Sequence, residues 1–261
     1  MSNERKSTVL LEHHLKQLKL PTMLKEYPLL AHSCSQEQCD YPTYLLRLCE
    51  KELADRQRRA MDRRIQAARF PMLKTIDSFD FALQPSINAP LVRELLRCEF
   101  IDHRENILLI GNSGTGKTHL ATALGFAACY QGCNVRFSSC TALITQLLEA
   151  REDRQLQRLL TQLGKHSLLI LDELGYVPFS KAGSELLFEV VSRAYERQSL
   201  MITTNLPFES WTEVCGSERL TGAMLDRLTH KVHIIEANGQ SYRLEQSRKR
   251  LARQQKTTGQ D

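Results

Sequence analysis

Gly111-Asn112-Ser113-Gly114-Thr115-Gly116-Lys117-Thr118 satisfies the pattern G-x-x-x-x-G-K-T at every specified position. Directly before it, Asn106 to Ile110 read as a buried strand, and directly after it Lys117 to Tyr130 read as a helix. A strand, a glycine-rich turn and a helix in that order make a cradle for phosphate. Glycines at 111, 114 and 116 open backbone conformations closed to other residues, so successive N–H groups can turn inward onto phosphate oxygens at the positive end of the helix. Lys117 adds a point charge for the β and γ phosphates, and the Thr118 hydroxyl is placed to complete a Mg²⁺ shell. Residues 111–118 are the expected ATP-binding loop, with ATP and Mg²⁺ as the cofactors.

Outward from this loop, strands and helices alternate. Val135 to Ser138 is a strand, Thr141 to about Gly164 mostly helix, Leu168 to Leu171 a strand, Gly183 to Glu196 a helix, and Leu200 to Thr203 a strand. Short apolar strands separated by helices predict an α/β fold with a parallel sheet covered on both faces. The strand from Leu168 runs into Asp172 and Glu173, which puts two carboxylates at its C-terminal end, where ligands sit in open parallel sheets. Asp172 is placed to hold Mg²⁺ through water, and Glu173 to orient or deprotonate an attacking water. The next strand finishes in Thr204-Asn205. Asn205 either hydrogen-bonds the γ-phosphate or the water, or caps the turn before Pro207. Downstream, Arg227 lies in a predicted helix behind Gly222, either as a surface ion-pair partner or as the arginine that stabilises charge on a transferring phosphoryl group.

Before residue 101 the texture differs. Leu11, Leu15 and Leu18 mark one face of a helix; Pro21 and Pro28 are expected to break the next stretch into short pieces. Asp40 is a plausible N-cap, with Pro42 in the first turn, for an uninterrupted helix reaching Phe70, on the order of 40 Å long. Arg56, Arg58, Arg59, Arg63, Arg64 and Arg69 crowd its second half against Asp62 alone over the same stretch. Two readings stand: a solvated helix face, or a phosphate-contacting one, with Arg56, Arg58, Arg59, Arg63 and Arg64 as the DNA-binding candidates. Arg151, Arg154 and Arg158, at spacings of three and four, share a helix face that either approaches DNA or is simply solvated, and Glu152 and Asp153, which neutralise much of that charge, favour the solvated face. The expected organisation is a helical domain at 1–72, a linker and lead-in helix (about Leu91 to Phe100) at 73–100, an ATPase domain at 101–246 and a basic tail at 247–261.

The chain has 261 residues and a net charge of +5, with 42% hydrophobic and 25% charged residues, a composition that excludes wholesale disorder, collagen-like repeats and a disulfide-rich miniature scaffold. Counting Lys and Arg against Asp and Glu gives 16 and 13 over 1–100, 13 and 14 over 101–235, and 6 and 3 over 236–261, so the excess lies at the two ends. No apolar stretch approaches a membrane span and the first 20 residues carry charges throughout, which predicts a cytoplasmic protein with no membrane partner. The eight cysteines show no C-x-x-C pair and no finger-like spacing to a His pair, and are expected to be structural thiols.

The loop, the Asp172-Glu173 strand, Thr203-Thr204-Asn205 and Asp226-Arg227-Leu228, in this order, resemble the AAA+ ATPases of the initiator and helicase-loader group. More closely, Phe79-Asp80-Phe81, the run Asn106 to Leu120 and the run Leu171 to Tyr176 are similar to the IstB-like transposition helper ATPases of bacterial insertion sequences, relatives of the DnaC loader. The resemblance implies an AAA+ P-loop core behind a small all-helical N-terminal domain. It further implies ATP hydrolysis stimulated by DNA and assembly, oligomerisation on duplex DNA without strong sequence preference, target selection, and recruitment or stimulation of a partner transposase. By the same analogy Glu173 is the hydrolytic acid, Asn205 the sensor residue and Arg227 a finger acting in trans within a homo-oligomer. After Ile235 only 26 residues remain, so no full C-terminal lid is expected, and Arg243 could stand in for a lid-borne arginine. A DnaC-type helicase loader has the same chemistry with a hexameric helicase as partner. A nucleotide-gated scaffold with negligible turnover is at odds with Glu173, and a metabolic P-loop kinase would need an acceptor-substrate segment that is not evident.

Overall fold

The computed structural model describes residues 2–239 and 241–242; Arg243 and the tail at 247–261 lie outside the described residues. Two compact units divide between Arg63 and Arg64. No helix among the described residues is long and apolar enough to cross a membrane.

The first unit is built from α1 (Ser2–Gln17), α2 (Pro21–Gln36) and most of α3 (Tyr41–Ala68). Contrary to expectation, Pro28 does not break α2, which runs through it for 16 residues. A proline inside a helix removes one hydrogen bond and costs about 3 kcal/mol, and tertiary contacts with α3 offset that here. Leu20, at the N-cap of α2, supplies no side-chain cap. The buried carboxylate of Glu52 in α3 takes that role, its Oε2 accepting the N–H groups of Thr22 at 2.8 Å and Met23 at 3.1 Å. Asp40 caps α3 as its position suggests, Oδ1 accepting the Thr43 N–H at 2.9 Å, and hydrogen bonds from Thr43 hold its carboxyl below the ordinary Asp range. The helix ends at Ala68, two residues short of Phe70. Arg69 has φ +59°, and Phe70, preceding Pro71, is disfavoured from helical geometry.

In the second unit, short turns at Ile76–Ser78 and Phe81–Leu83 precede α4 (Ala89–Leu95) and α5 (Glu99–Asp102). The lead-in helix starts earlier and stops sooner than predicted, because Asn88 caps it (Leu91 N–H to Oδ1, 3.1 Å) and Cys98 adopts a left-handed conformation before α5. This stretch is more than a connector: Ile76, Phe79, Phe81, Ile87, Val92 and Leu95 all pack into a core on one face of the sheet.

The sheet itself alternates with helices: β1 (Asn106–Gly111), α6 (Lys117–Tyr130), β2 (Val135–Ser139), α7 (Cys140–Glu152), α8 (Leu156–Leu163), β3 (Leu168–Leu174), α9 (Lys181–Ala194), β4 (Ser199–Thr204), α10 (Trp211–Cys215), α11 (Glu218–Thr229) and β5 (Val232–Ala237). All strands are parallel, in the order β2-β3-β4-β1-β5. The strands read as continuous apolar runs because both faces are covered. Ile107, Leu109, Leu168, Ile170 and Met201 pack with Leu120, Leu124 and Ala128 of α6 on one face; Leu108, Leu169, Leu171, Leu200 and Ile202 pack with residues of α7, α9 and α11 on the other. The helix predicted from Thr141 to Gly164 is two helices. Arg154 takes φ +58° and the Gln155 N–H returns to the Ala150 carbonyl at 2.7 Å, closing α7 and turning the chain. Arg151, Arg154 and Arg158 therefore do not share one continuous helix face.

All eight cysteines are free thiols. Burial pushes the Cys98 thiol up to about 12 and the Cys129 thiol up to about 11, as structural thiols in apolar surroundings require.

Candidate functional site

The C-terminal ends of β1, β3 and β4 meet at one edge of the sheet, and every residue predicted to handle nucleotide except Arg227 lies on or directly after these ends. The loop leaves β1 at Gly111 and enters α6 at Lys117. At Gly116, the N-cap of α6, φ is +94° and a Cβ would stand 2.7 Å from the Phe79 ring, so a glycine is required on both counts. That contact explains Phe79-Asp80-Phe81. Phe79 packs edge-on against Phe81 (4.9 Å between centroids) and His119 (5.1 Å), and His119 in turn is bonded to the Thr75 carbonyl at 3.0 Å. The segment from Thr75 to Phe81 thus straps the phosphate loop from outside.

Within the loop, Thr115 is buried and donates to the Asn112 carbonyl at 2.8 Å. Lys117 Nζ donates to the carbonyls of Gly111 and Asn112, both at 2.7 Å. Its charge is thereby held inside the turn whose N–H groups would surround phosphate. Ser113 and Gly114 complete the turn, Gly114 with φ +80°.

Thr118, in the first turn of α6, donates its hydroxyl to Asp172 at the end of β3, with Oγ1 3.0 and 3.1 Å from the two carboxylate oxygens. A hydroxyl and a buried carboxylate facing each other form an oxygen donor pair suited to Mg²⁺, a hard cation that keeps several waters and takes the rest of its shell from phosphate. Among the described residues no group of three or more His, Cys, Asp or Glu is placed to hold a metal.

Glu173 follows in a β-bulge. The β3–β4 register pairs Leu171 with Ile202 and then Leu174 with Thr204, so three steps on β3 oppose two on β4. Glu173 absorbs the difference with φ +60° and an exposed side chain, between buried neighbours on both sides. The Thr203 hydroxyl holds this geometry, donating to Asp172 Oδ1 and accepting the Glu173 N–H at 2.9 Å. The Thr203-Thr204-Asn205 run marks the strand end but not this role for Thr203; only the register with β3 gives it two acidic neighbours.

Asn205 sits just past β4 with its side chain exposed. The turn before Pro207 is held by Thr204 instead, whose hydroxyl donates to the Leu174 carbonyl at 2.8 Å and accepts the Leu206 N–H at 3.1 Å. Arg227 is on α11, away from those strand ends in sequence. Its Nη1 donates to the Ala223 carbonyl at 2.7 Å and its guanidinium lies over the Phe188 ring at 4.9 Å. It makes no ion pair among the described residues, so the surface salt-bridge reading is not what the structure contains.

The arginines of α3 are not equivalent. Arg59 bonds Glu52 Oε1 at 3.1 Å and Arg56 lies 3.6 Å from the same oxygen, while Arg58 pairs with Asp55 at 3.1 Å. Glu52 and Asp55, four residues and one residue before the run, therefore occupy part of its charge. Arg63 is exposed and Arg64 half-buried, and neither makes an ion pair among the described residues.

Comparison with known proteins identifies the family of the chain. The family model described as IstB-like ATP binding protein matches residues 13–250. A protein of Pseudomonas aeruginosa, named for ATP binding in insertion sequence IS21, is 38% identical over 92% of this chain and 90% of its own. Its counterpart for IS5376 in Geobacillus stearothermophilus is 37% identical over 91% and 95%. Among solved structures, AMPPCP-bound DnaA of Aquifex aeolicus superposes with TM-score 0.54 at 22% identity, covering 64% of this chain and 50% of that one. DnaI does so with TM-score 0.52 at 16% identity, covering 62% and 90%. At those identities the superpositions speak for the fold, the AAA+ P-loop architecture. With a phosphate loop, an acidic strand end and a family match across nine-tenths of its length, the chain belongs to the IstB-like ATP-binding proteins of insertion sequences.

Proposed function

We propose that this protein is an ATP-hydrolysing transposition helper that oligomerises on duplex DNA, selects target DNA and recruits or stimulates a partner transposase, working in the cytoplasm. The observation that carries the reading is the convergence of the phosphate loop, the Thr118–Asp172 pair and the bulged Glu173 at one sheet edge, in a chain of this family. Residues 111–118 wrap the phosphates with backbone N–H groups, and Lys117 neutralises the β and γ charges. Thr118 and Asp172 would hold Mg²⁺, which would supply neutralisation of the charge developing on the phosphoryl oxygens. Glu173 orients and deprotonates water for in-line attack, and Asn205 holds that water or the γ-phosphate. Arg227 reaches the nucleotide of a neighbouring subunit, which couples turnover to assembly. On the DNA side, Arg63 and Arg64 supply phosphate contacts that do not read sequence, joined by Arg58, which is shared with Asp55, and by Arg56 and Arg59, which are shared with Glu52.

The trans arrangement has a direct test. Arg227→Ala is expected to bind ATP normally and to lose on the order of 1,000-fold in DNA-stimulated hydrolysis, the scale of an arginine finger. Mixing it with Lys117→Ala, which retains its own Arg227, should restore turnover that neither variant shows alone. Phosphate release assays on the separate and mixed proteins decide the matter; full activity of Arg227→Ala, or no recovery on mixing, refutes the finger.

A further inference from the structure

β2 forms one edge of the sheet, and arginines gather there. Arg136, its second residue, is half-buried. The Phe70 ring packs edge-on against Phe137 at 6.1 Å between centroids, which brings the segment carrying Arg69 alongside the strand. The Arg64 guanidinium lies by the turn into β2, its Nη2 3.9 Å from where a Cβ on Gly132 would stand. Among the described residues none of these three side chains has a hydrogen-bond or ion-pair partner. Burial, and then Asp102, push the Cys133 thiol up while Arg64 pulls it down, yet Asp102 forms no ion pair with any of the three. Burial, and then the like charge of Arg69, push the Arg136 guanidinium below its ordinary value.

Charged side chains are rarely taken out of water unpaired, because the desolvation is costly unless a counter-charge compensates it. Arg64 and Arg136 are half-buried and Arg69 stands exposed beside them; among the described residues no acid pairs with any of the three, and the compensation is left to an external anion. We propose that Arg64, Arg69 and Arg136 form a phosphate seat in the ATPase unit that takes the sugar-phosphate backbone of duplex DNA. This rests on the DNA-binding reading above and adds a contact surface beyond the first unit. The guanidinium fork matches phosphate oxygens, and three such groups along an edge suit a repeating polyanion better than a single small ion.

Salt titrations test it. With a labelled duplex of about 30 base pairs, the slope of log affinity against log salt should fall by roughly 0.9 for each phosphate contact removed. R69Q/R136Q should therefore lose roughly 1.8 in slope on any sequence, and R69Q alone, at an exposed position that the fold does not need, about half of that. The melting temperature should hold or rise, since like charges have been separated. Tripolyphosphate should raise the melting temperature of the wild type more than that of the double variant. An unchanged slope while the wild type binds DNA overturns the seat alone, even if tripolyphosphate still discriminates; a wild type that binds no duplex DNA overturns the DNA-binding reading as well.

A separate observation concerns hydrolysis. The Thr203 hydroxyl is the one side chain bonded both to Asp172 and to the backbone of Glu173 among the described residues. We infer that Thr203 is a positioning residue: it ties the strained Glu173 backbone to the carboxylate that would hold the metal, so that base and cation stay in register. T203V should retain ATP affinity within about threefold and lose 10- to 100-fold in kcat, with T203S restoring most of it. A T203V that binds ATP, melts like the wild type and turns over normally overturns the inference, as does T203S failing to the same extent as T203V. A wild type with no turnover would instead overturn the hydrolytic reading itself.

Discussion

Lys117→Ala should reduce ATP affinity at least 100-fold, to the point where titration with a fluorescent ATP analogue shows no saturation at millimolar nucleotide. The ammonium is the only side-chain cation within the loop itself, and charge-assisted hydrogen bonds to phosphate are roughly twice as strong as neutral ones. A 100-fold loss corresponds to about 2.7 kcal/mol. Removing the side chain also deletes the two bonds from Nζ to Gly111 and Asn112, which hold the turn around its own charge. The body of the fold should be unaffected, because the apolar contacts that hold α6 to the sheet come from Leu120, Leu124 and Ala128. Binding within threefold of the wild type would show that the loop does not cradle phosphate as its pattern demands.

Glu173→Gln should have the opposite profile, with ATP held as tightly as before and DNA-stimulated turnover reduced 100-fold or more. The amide keeps the size and hydrogen-bonding reach of the carboxylate but cannot accept a proton from water, and a positioned general base contributes on the order of 100- to 10,000-fold. The bulge makes the comparison clean. The Glu173 backbone is held through its N–H by Thr203, a bond that the substitution leaves intact, and its exposed side chain supports no core packing. Single-turnover phosphate release alongside nucleotide binding separates the two effects. Unchanged ATP consumption with DNA present would leave a nucleotide-gated scaffold as the better description of the protein.

These expectations differ in how far the sequence supports them. The phosphate loop is local: eight consecutive residues whose glycines and lysine carry their own geometry, so Gly111 to Thr118 could be placed before any fold was known. The parallel sheet was equally legible, since strands buried on both faces must be apolar throughout and must return through helices. The acidic strand end was readable as a pair with a role expected of each member, but not the geometry that separates them. Asp172 is buried against Thr118 and Thr203, while Glu173 is turned outward by a register slip that depends on where β4 lies. Asn205 carried two readings in the sequence because strand ends and turns favour the same residue types. It took the neighbouring Thr204, bonded to both Leu174 and Leu206, to assign the turn to another side chain.

Charge was the least legible property. The run from Arg56 to Arg69 looks uniform along the chain, yet Arg56 and Arg59 are drawn to Glu52, which itself caps a helix about 30 residues earlier in sequence. Arg69, by contrast, precedes Phe70, which packs on the edge strand beside Arg136. By itself the sequence determined the nucleotide loop, the order of strands and helices and the family, because each rests on short-range pattern: backbone freedom at glycine, period-driven burial, and residue types at fixed spacing. The tertiary structure alone decided how the two expected carboxylates are held apart, one buried against Thr118 and one turned outward by the bulge, which threonine joins them, and which arginines among the described residues remain without a counter-charge. Those depend on strand register and on the approach of segments remote in sequence, and no local pattern encodes the distances between them.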